Sequence, residues 1–118
     1  VHQRVHRIAR YYLEITRAHE GYFRQFLAKT MDVWQKQANV ELRGARRIAA
    51  FTQALEPAGA QMDSKELEDL ALRLSMVTGI EQLIILDDIL RVDHATGYRL
   101  QAGLVDALLD HYLPTAKS

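Results

Sequence analysis

The chain has no cysteine, which excludes a disulfide framework, thiolate nucleophiles and cysteine-based metal centres. It has two prolines, Pro57 and Pro114, so nothing else in the sequence forbids helix on backbone grounds. No apolar run approaches the ~20 residues that span a bilayer. Formal net charge is zero, and no Lys/Arg run exceeds two residues, so a dense phosphate-binding stripe is not evident. There is no glycine-rich phosphate loop, no Gly-x-Ser-x-Gly and no His-Glu-x-x-His. Glu14 and Glu41 lie near apolar faces without forming a carboxylate pair. Catalytic residues are therefore expected to be none, and the chain is not expected to be an enzyme.

What remains is an ordinary globular composition, 48% hydrophobic and 25% charged over 118 residues, enough for one domain with a real core. A cytoplasmic protein is the default expectation. Apolar residues recur at helical spacing throughout, and no segment alternates with period two for long enough to make a strand. Val5, Ile8, Tyr12 and Ile15 predict a helix over 2–19. His19-Glu20-Gly21 is a weak break. Phe23, Phe26, Leu27, Thr30, Met31 and Trp34 predict a helix over 22–37. Val40, Ile48, Phe51 and Leu55 predict one over 40–56, continuous with the last or bent from it, with Gly44 on its apolar stripe. Residues 57–62 read as a loop, and Asp63 with Glu66 as a capping box. A helix over 64–90, a tight connection at Arg91-Val92, the cap Asp93 and a helix over 94–113 complete the pattern.

The last two helices carry more than one apolar face. Along 64–90, Leu67, Leu70, Ala71, Leu74, Val77, Ile85 and Ile89 cluster on one side, and Leu72, Met76, Gly79, Ile80, Leu83 and Leu90 on the other. Along 94–113, Tyr98, Ala102, Val105, Leu109 and Tyr112 make one face, and Leu100, Leu104 and Ala107 a second. One stripe seats a helix on its own core; a second needs another partner. The expected fold class is therefore all-α: a bundle of about five helices whose last two long helices form a four-helix dimer interface with a second copy. The residues expected at that interface are Gly79, Leu83, Leu86, Leu90, Leu100, Leu104, Ala107 and His111. Which face points outward is left open by the pattern.

The segment Asp63-Ser-Lys-Glu-Leu-Glu-Asp-Leu-Ala-Leu-Arg-Leu-Ser-Met-Val-Thr-Gly-Ile resembles a stretch of the C-terminal domain of TetR-family transcriptional regulators. There an acidic cap, Leu-Ala, helically spaced apolar residues and a Gly followed by an apolar residue come in the order of Leu70-Ala71, Leu74, Val77 and Gly79-Ile80. Ala54-Leu55-Glu56-Pro57-Ala58-Gly59 is similar to the helix end and loop before it. Leu104-Val105-Asp106-Ala107-Leu108-Leu109 is similar to the family's last helix, and Ala18-His19-Glu20-Gly21-Tyr22-Phe23 to the turn between its first two ligand-domain helices. The resemblance extends over nearly all of residues 1–118. It implies a single ligand-binding and dimerisation domain, which takes a small apolar or amphipathic effector among its first helices and dimerises through its last two. It also implies that DNA is read only by an N-terminal helix-turn-helix domain, which is not among these residues. The start at Val1 rather than Met agrees with that expectation. No membrane partner and no cofactor are implied.

Aromatic residues concentrate in the first 51 positions, with only Tyr98 and Tyr112 beyond. Tyr12, Phe23, Phe26, Met31, Trp34, Phe51 and Met76 are the candidate lining of an apolar effector pocket; the alternative is that they simply fill the core. His2 and His6, spaced i, i+4, have the spacing to chelate a metal ion, but no third ligand stands at useful spacing, so the expected metal set is none. Asp87-Asp88 with Asp93 is similar to an aspartate-rich magnesium motif. The chain lacks the second acidic motif such sites need, and solvated acids near a helix end are the plainer reading. Finally, residues 1–56 carry ten Lys/Arg and five Asp/Glu, a net of +5, and residues 57–118 the reverse, a net of −5. Either the basic half meets nucleic acid or the two halves pair with each other.

Overall fold

The computed structural model describes residues 1–36 and 45–113, with side chains for 1–32 and 46–113. The described residues are all helical apart from short connections: α1 (His2–Ala18), α2 (Glu20–Lys36), α3 (Ala45–Leu55), α4 (Ser64–Met76), α5 (Ile80–Ile84) and α6 (His94–Tyr112). A 3₁₀ turn over Glu56–Ala60 follows α3, and a π-helical stretch over Ile85–Leu90 continues α5. No helix among them is long and apolar enough to cross a membrane. The expectations for Val40, Glu41 and Gly44, and for the join between the second and third helices, lie outside the described residues. So does the side chain of Trp34.

Helix α1 is the centre of the assembly and packs on α6, α3, α5 and α2. It buries Val5, Ala9, Leu13 and Thr16, one position round from the Val5–Ile8–Tyr12–Ile15 stripe, whose last three members are half-buried. A helix covered on several sides is buried over a wider arc than a single stripe suggests. Thr16 keeps its hydroxyl satisfied inside the core by donating to the Tyr12 carbonyl.

The apolar interior forms two clusters. The main core gathers Val5 and Ala9 of α1, Phe51, Ala54 and Leu55 of α3, Leu70, Ala71 and Leu74 of α4, and Val105 and Leu109 of α6. The second gathers Leu13, Ile80, Leu83 and Leu86, with Phe23, Leu27 and Tyr98 packed against it.

The expected helix over 64–90 is two pieces. It starts where the sequence indicates, Asp63 accepting from the Lys65 backbone N–H at 3.1 Å. It stops at Met76, because Val77 leaves helical geometry and Gly79 takes φ +88°, ψ −166°, a conformation open essentially only to glycine. Thr78, fully buried, turns its hydroxyl back to the Leu74 and Ser75 carbonyls at 3.3 Å. Gln101 of α6 donates its side-chain N–H to the Val77 carbonyl at 3.1 Å. The carbonyls freed by the break are thus partly met by side chains. The break resets the helical phase. Before it the Leu67–Leu70–Ala71–Leu74 face is inward; after it Ile80, Leu83 and Leu86 are inward, and Ile85, Ile89 and Leu90 are exposed. Asp93 caps α6 by accepting from Thr96 N at 2.7 Å, as the sequence indicates.

Candidate functional site

The opposite charges of the two halves meet inside the chain. Arg17 of α1 donates to Asp87 at 2.9 Å, Arg24 of α2 makes a two-pronged contact to Asp88 at 2.8 and 2.9 Å, and Arg47 of α3 donates to Glu81 at 3.1 Å. His6 Nε2 lies 2.6 Å from Asp106 Oδ1, and His2 Nε2 3.9 Å from Asp110. Each of these pairs joins the basic half to the acidic half. The hydrogen bonds from Arg24 hold the Asp88 carboxyl below its usual range, and Asp88, with Glu20, raises the Arg24 guanidinium above its own. Asp87, Asp88 and Asp93 are thus committed to two arginines and a helix cap. Among the described residues no group of three or more His, Asp or Glu is disposed to hold a metal ion. The carboxylates facing His2 and His6 come from 100 or more residues away, so local spacing carried no sign of them.

The candidate lining residues are divided rather than gathered. Phe51 is fully buried in the main core. Phe23 packs on the second cluster, and Tyr12 is half-buried on α1. Phe26 and Met31 are exposed on α2, with Phe26 stacked on Tyr22 at 6.4 Å between ring centroids. Met76 is 76% exposed on α4. The physical reason is that these positions sit on helix faces turned to different neighbours, which periodicity within one helix does not report.

A groove of about 180 Å³ does open between α1 and α6, lined by His6, Ala9, Arg10, Tyr98, Gln101, Ala102 and Val105. The guanidinium of Arg10 covers the Tyr98 ring at 4.3 Å and is also held by Glu14 at 3.2 Å. The groove is below the ~300 Å³ at which drug-sized pockets begin, and none of the candidate lining residues faces it.

The expected dimer residues divide as well. Gly79, Leu83 and Leu86 are buried in the chain's own fold, because the break at Val77–Gly79 turns them inward, and Leu100 is half-buried against the second cluster. Leu90, Leu104, Ala107 and His111 are exposed. On α4 the outward apolar residues are Leu72 and Met76, members of the stripe opposite to the one that packs on the core. Arg73, between them in sequence, hydrogen-bonds the Tyr112 hydroxyl and joins this side of α4 to the end of α6. Leu104, Ala107 and His111 follow at spacings of three and four on α6, which places them on one face.

Comparison of the chain with protein-family models, with curated proteins and with solved structures yields no match.

Proposed function

We propose that this chain is the effector-sensing and dimerisation body of a TetR-like transcriptional regulator. Its dimer face is formed by Leu72 and Met76 of α4 with Leu104, Ala107 and His111 of α6. The observation that carries the dimer is the exposure of large apolar side chains on two helices that pack together, with Met76 at 76% and Leu104 at 47%. The partner is a second copy of the chain. The two chains together carry no net charge, and like apolar stripes related by a two-fold axis are self-complementary.

In this reading the dimer holds two DNA-binding heads outside these residues at about 34–36 Å, the separation of successive major-groove half-sites. A small apolar or amphipathic effector changes that separation by binding one arrangement better than the other. The runner-up is a helical dimerisation module with no ligand. It is favoured by the full burial of Phe51 in the core and by the division of the other aromatic residues between faces.

Sedimentation equilibrium tests the common part. A dimer at micromolar concentration is expected, with Met76→Glu and Leu104→Glu each giving a monomer of unchanged helix content; a wild-type monomer overturns the reading. Titration with 1-aminoanthracene, an apolar fluorescent probe, then separates sensor from scaffold. Saturable binding at one site per chain is expected of the sensor, and no binding leaves the scaffold.

A further inference from the structure

The stretch Ile80–Leu90 stands apart from the rest of the fold in four ways. Its flanking residues, Gly79 at φ +88° and Arg91 at φ +56°, have positive φ, and Arg91 is the only non-glycine among the described residues to do so. Its second half is π-helical, a rare geometry that is frequently found at functional sites. Its buried side chains Ile80, Leu83 and Leu86 belong to the smaller cluster, not to the main core. And its acids are gripped by arginines from three different helices: Glu81 by Arg47 of α3, Asp87 by Arg17 of α1, Asp88 by Arg24 of α2.

We propose that Ile80–Leu90 is a strap that opens as a unit while the main core stays folded, with the three arginines as its latch. The pieces are those of a sub-global unfolding unit: a small apolar contact set of its own, an irregular backbone, and hinges at both ends. The latch is graded. Arg24–Asp88 is open to solvent and screened by salt, whereas the Arg17 side chain is only 9% exposed and its pair is shielded. Arg17 is also incompletely satisfied. Its Nε and Nη2, and Asp87 Oδ1, are buried without a hydrogen-bond partner among the described residues. On the far side Gly97 of α6 lets the strap lie close: a Cβ there would stand 3.3 Å from Leu86 Cδ1 and 3.4 Å from Arg17 Nη2. An open strap uncovers Leu13, Phe23, Leu27, Leu83 and Leu86, an apolar lining of the kind the proposed effector needs. That consequence rests on the sensing role; the strap itself does not.

Amide hydrogen exchange of the intact chain, read residue by residue, tests the strap without reference to any effector. Amides of 83–90 are expected to exchange faster than those of Leu70, Leu74 and Leu109, and to speed up between 20 and 500 mM NaCl while the core amides do not. Arg24→Gln should raise exchange in 83–90 roughly two- to five-fold, the scale of one solvent-exposed ion pair. The swap Arg24→Glu with Asp88→Arg, made with Glu20→Gln because Glu20 also holds Arg24, should restore it. Arg17→Met should raise it further, because it leaves Asp87 without its partner. Exchange of 83–90 that tracks the core amides in every variant and at both salt concentrations overturns the proposal, and it leaves the dimer and probe-binding experiments unaffected.

Discussion

Arg47 occupies the space that a side chain at position 79 would need. A Cβ built on Gly79 would stand 2.8 Å from Arg47 Cζ and closer still to Nη1, while the same guanidinium reaches on to Glu81. Two requirements for glycine coincide here, the positive φ that breaks α4 from α5 and the room for an arginine that ties α3 to the strap. Gly79→Ala is accordingly expected to destabilise the fold. The backbone alone accounts for about 1–3 kcal/mol, with a further loss from displacing Arg47. Chemical denaturation of Gly79→Ala, Arg47→Ala and the double variant measures both parts. The double variant should lose less than the sum of the singles, since Arg47→Ala removes the clash.

Phe51 and Met31 were equal candidates for an effector pocket and are unequal in the fold. Phe51 is completely buried in the main core, whereas Met31 is exposed. Phe51→Ala should cost about 3–5 kcal/mol, the usual range for deleting a core aromatic ring. Met31→Ala should change stability by under ~0.5 kcal/mol. Urea unfolding at neutral pH reads both. A small effect at Phe51 would mean that it lines open space rather than core.

Acid should weaken the strap and the start of α6 together. The side-chain hydrogen bond from Arg24 lowers the Asp88 carboxyl, and the Thr96 backbone N–H, followed by its side chain, lowers Asp93. Each group is depressed in the folded chain relative to the unfolded one. Its stabilisation is therefore complete above the ordinary carboxylate range and is lost as pH falls through and below that range. Thermal melts from pH 7 to pH 2 should show stability falling below about pH 4. The fall should be shallower in Asp88→Asn and Asp93→Asn, which have lost the titrating group. Asp93→Asn keeps an effective cap, whereas Asp93→Ala should cost about 1 kcal/mol at neutral pH.

Much of the architecture was legible along the chain because it depends on neighbours in sequence. Asp63 and Asp93 cap α4 and α6 where the pattern puts them, and the turn at His19 and the connection at Arg91-Val92 fall as expected. These are contacts over two to four residues, and residue type alone specifies them. The +5 and −5 halves left internal pairing as one of two readings and gave no partners: Arg17–Asp87 and His6–Asp106 span 70 and 100 residues. The break at Val77–Gly79 was not foreseen. Gly79 sits in an unbroken apolar pattern, and one glycine within a helix is tolerated at a cost of about 1 kcal/mol.

The amino-acid sequence by itself determined the helical character of the described residues, most helix ends, and an excess of apolar faces on the second half. All three follow from local spacing and backbone preference. Only the tertiary structure decided which faces are spent inside and which are left over. Arg47 and Gln101 converge on the Val77–Gly79 break from α3 and α6, and the phase reset there turns Leu83 and Leu86 into core while leaving Ile85, Ile89 and Leu90 outside. A helix records its own period, but which of its stripes is buried depends on the direction from which the other helices arrive, and that is settled only when all of them are in place.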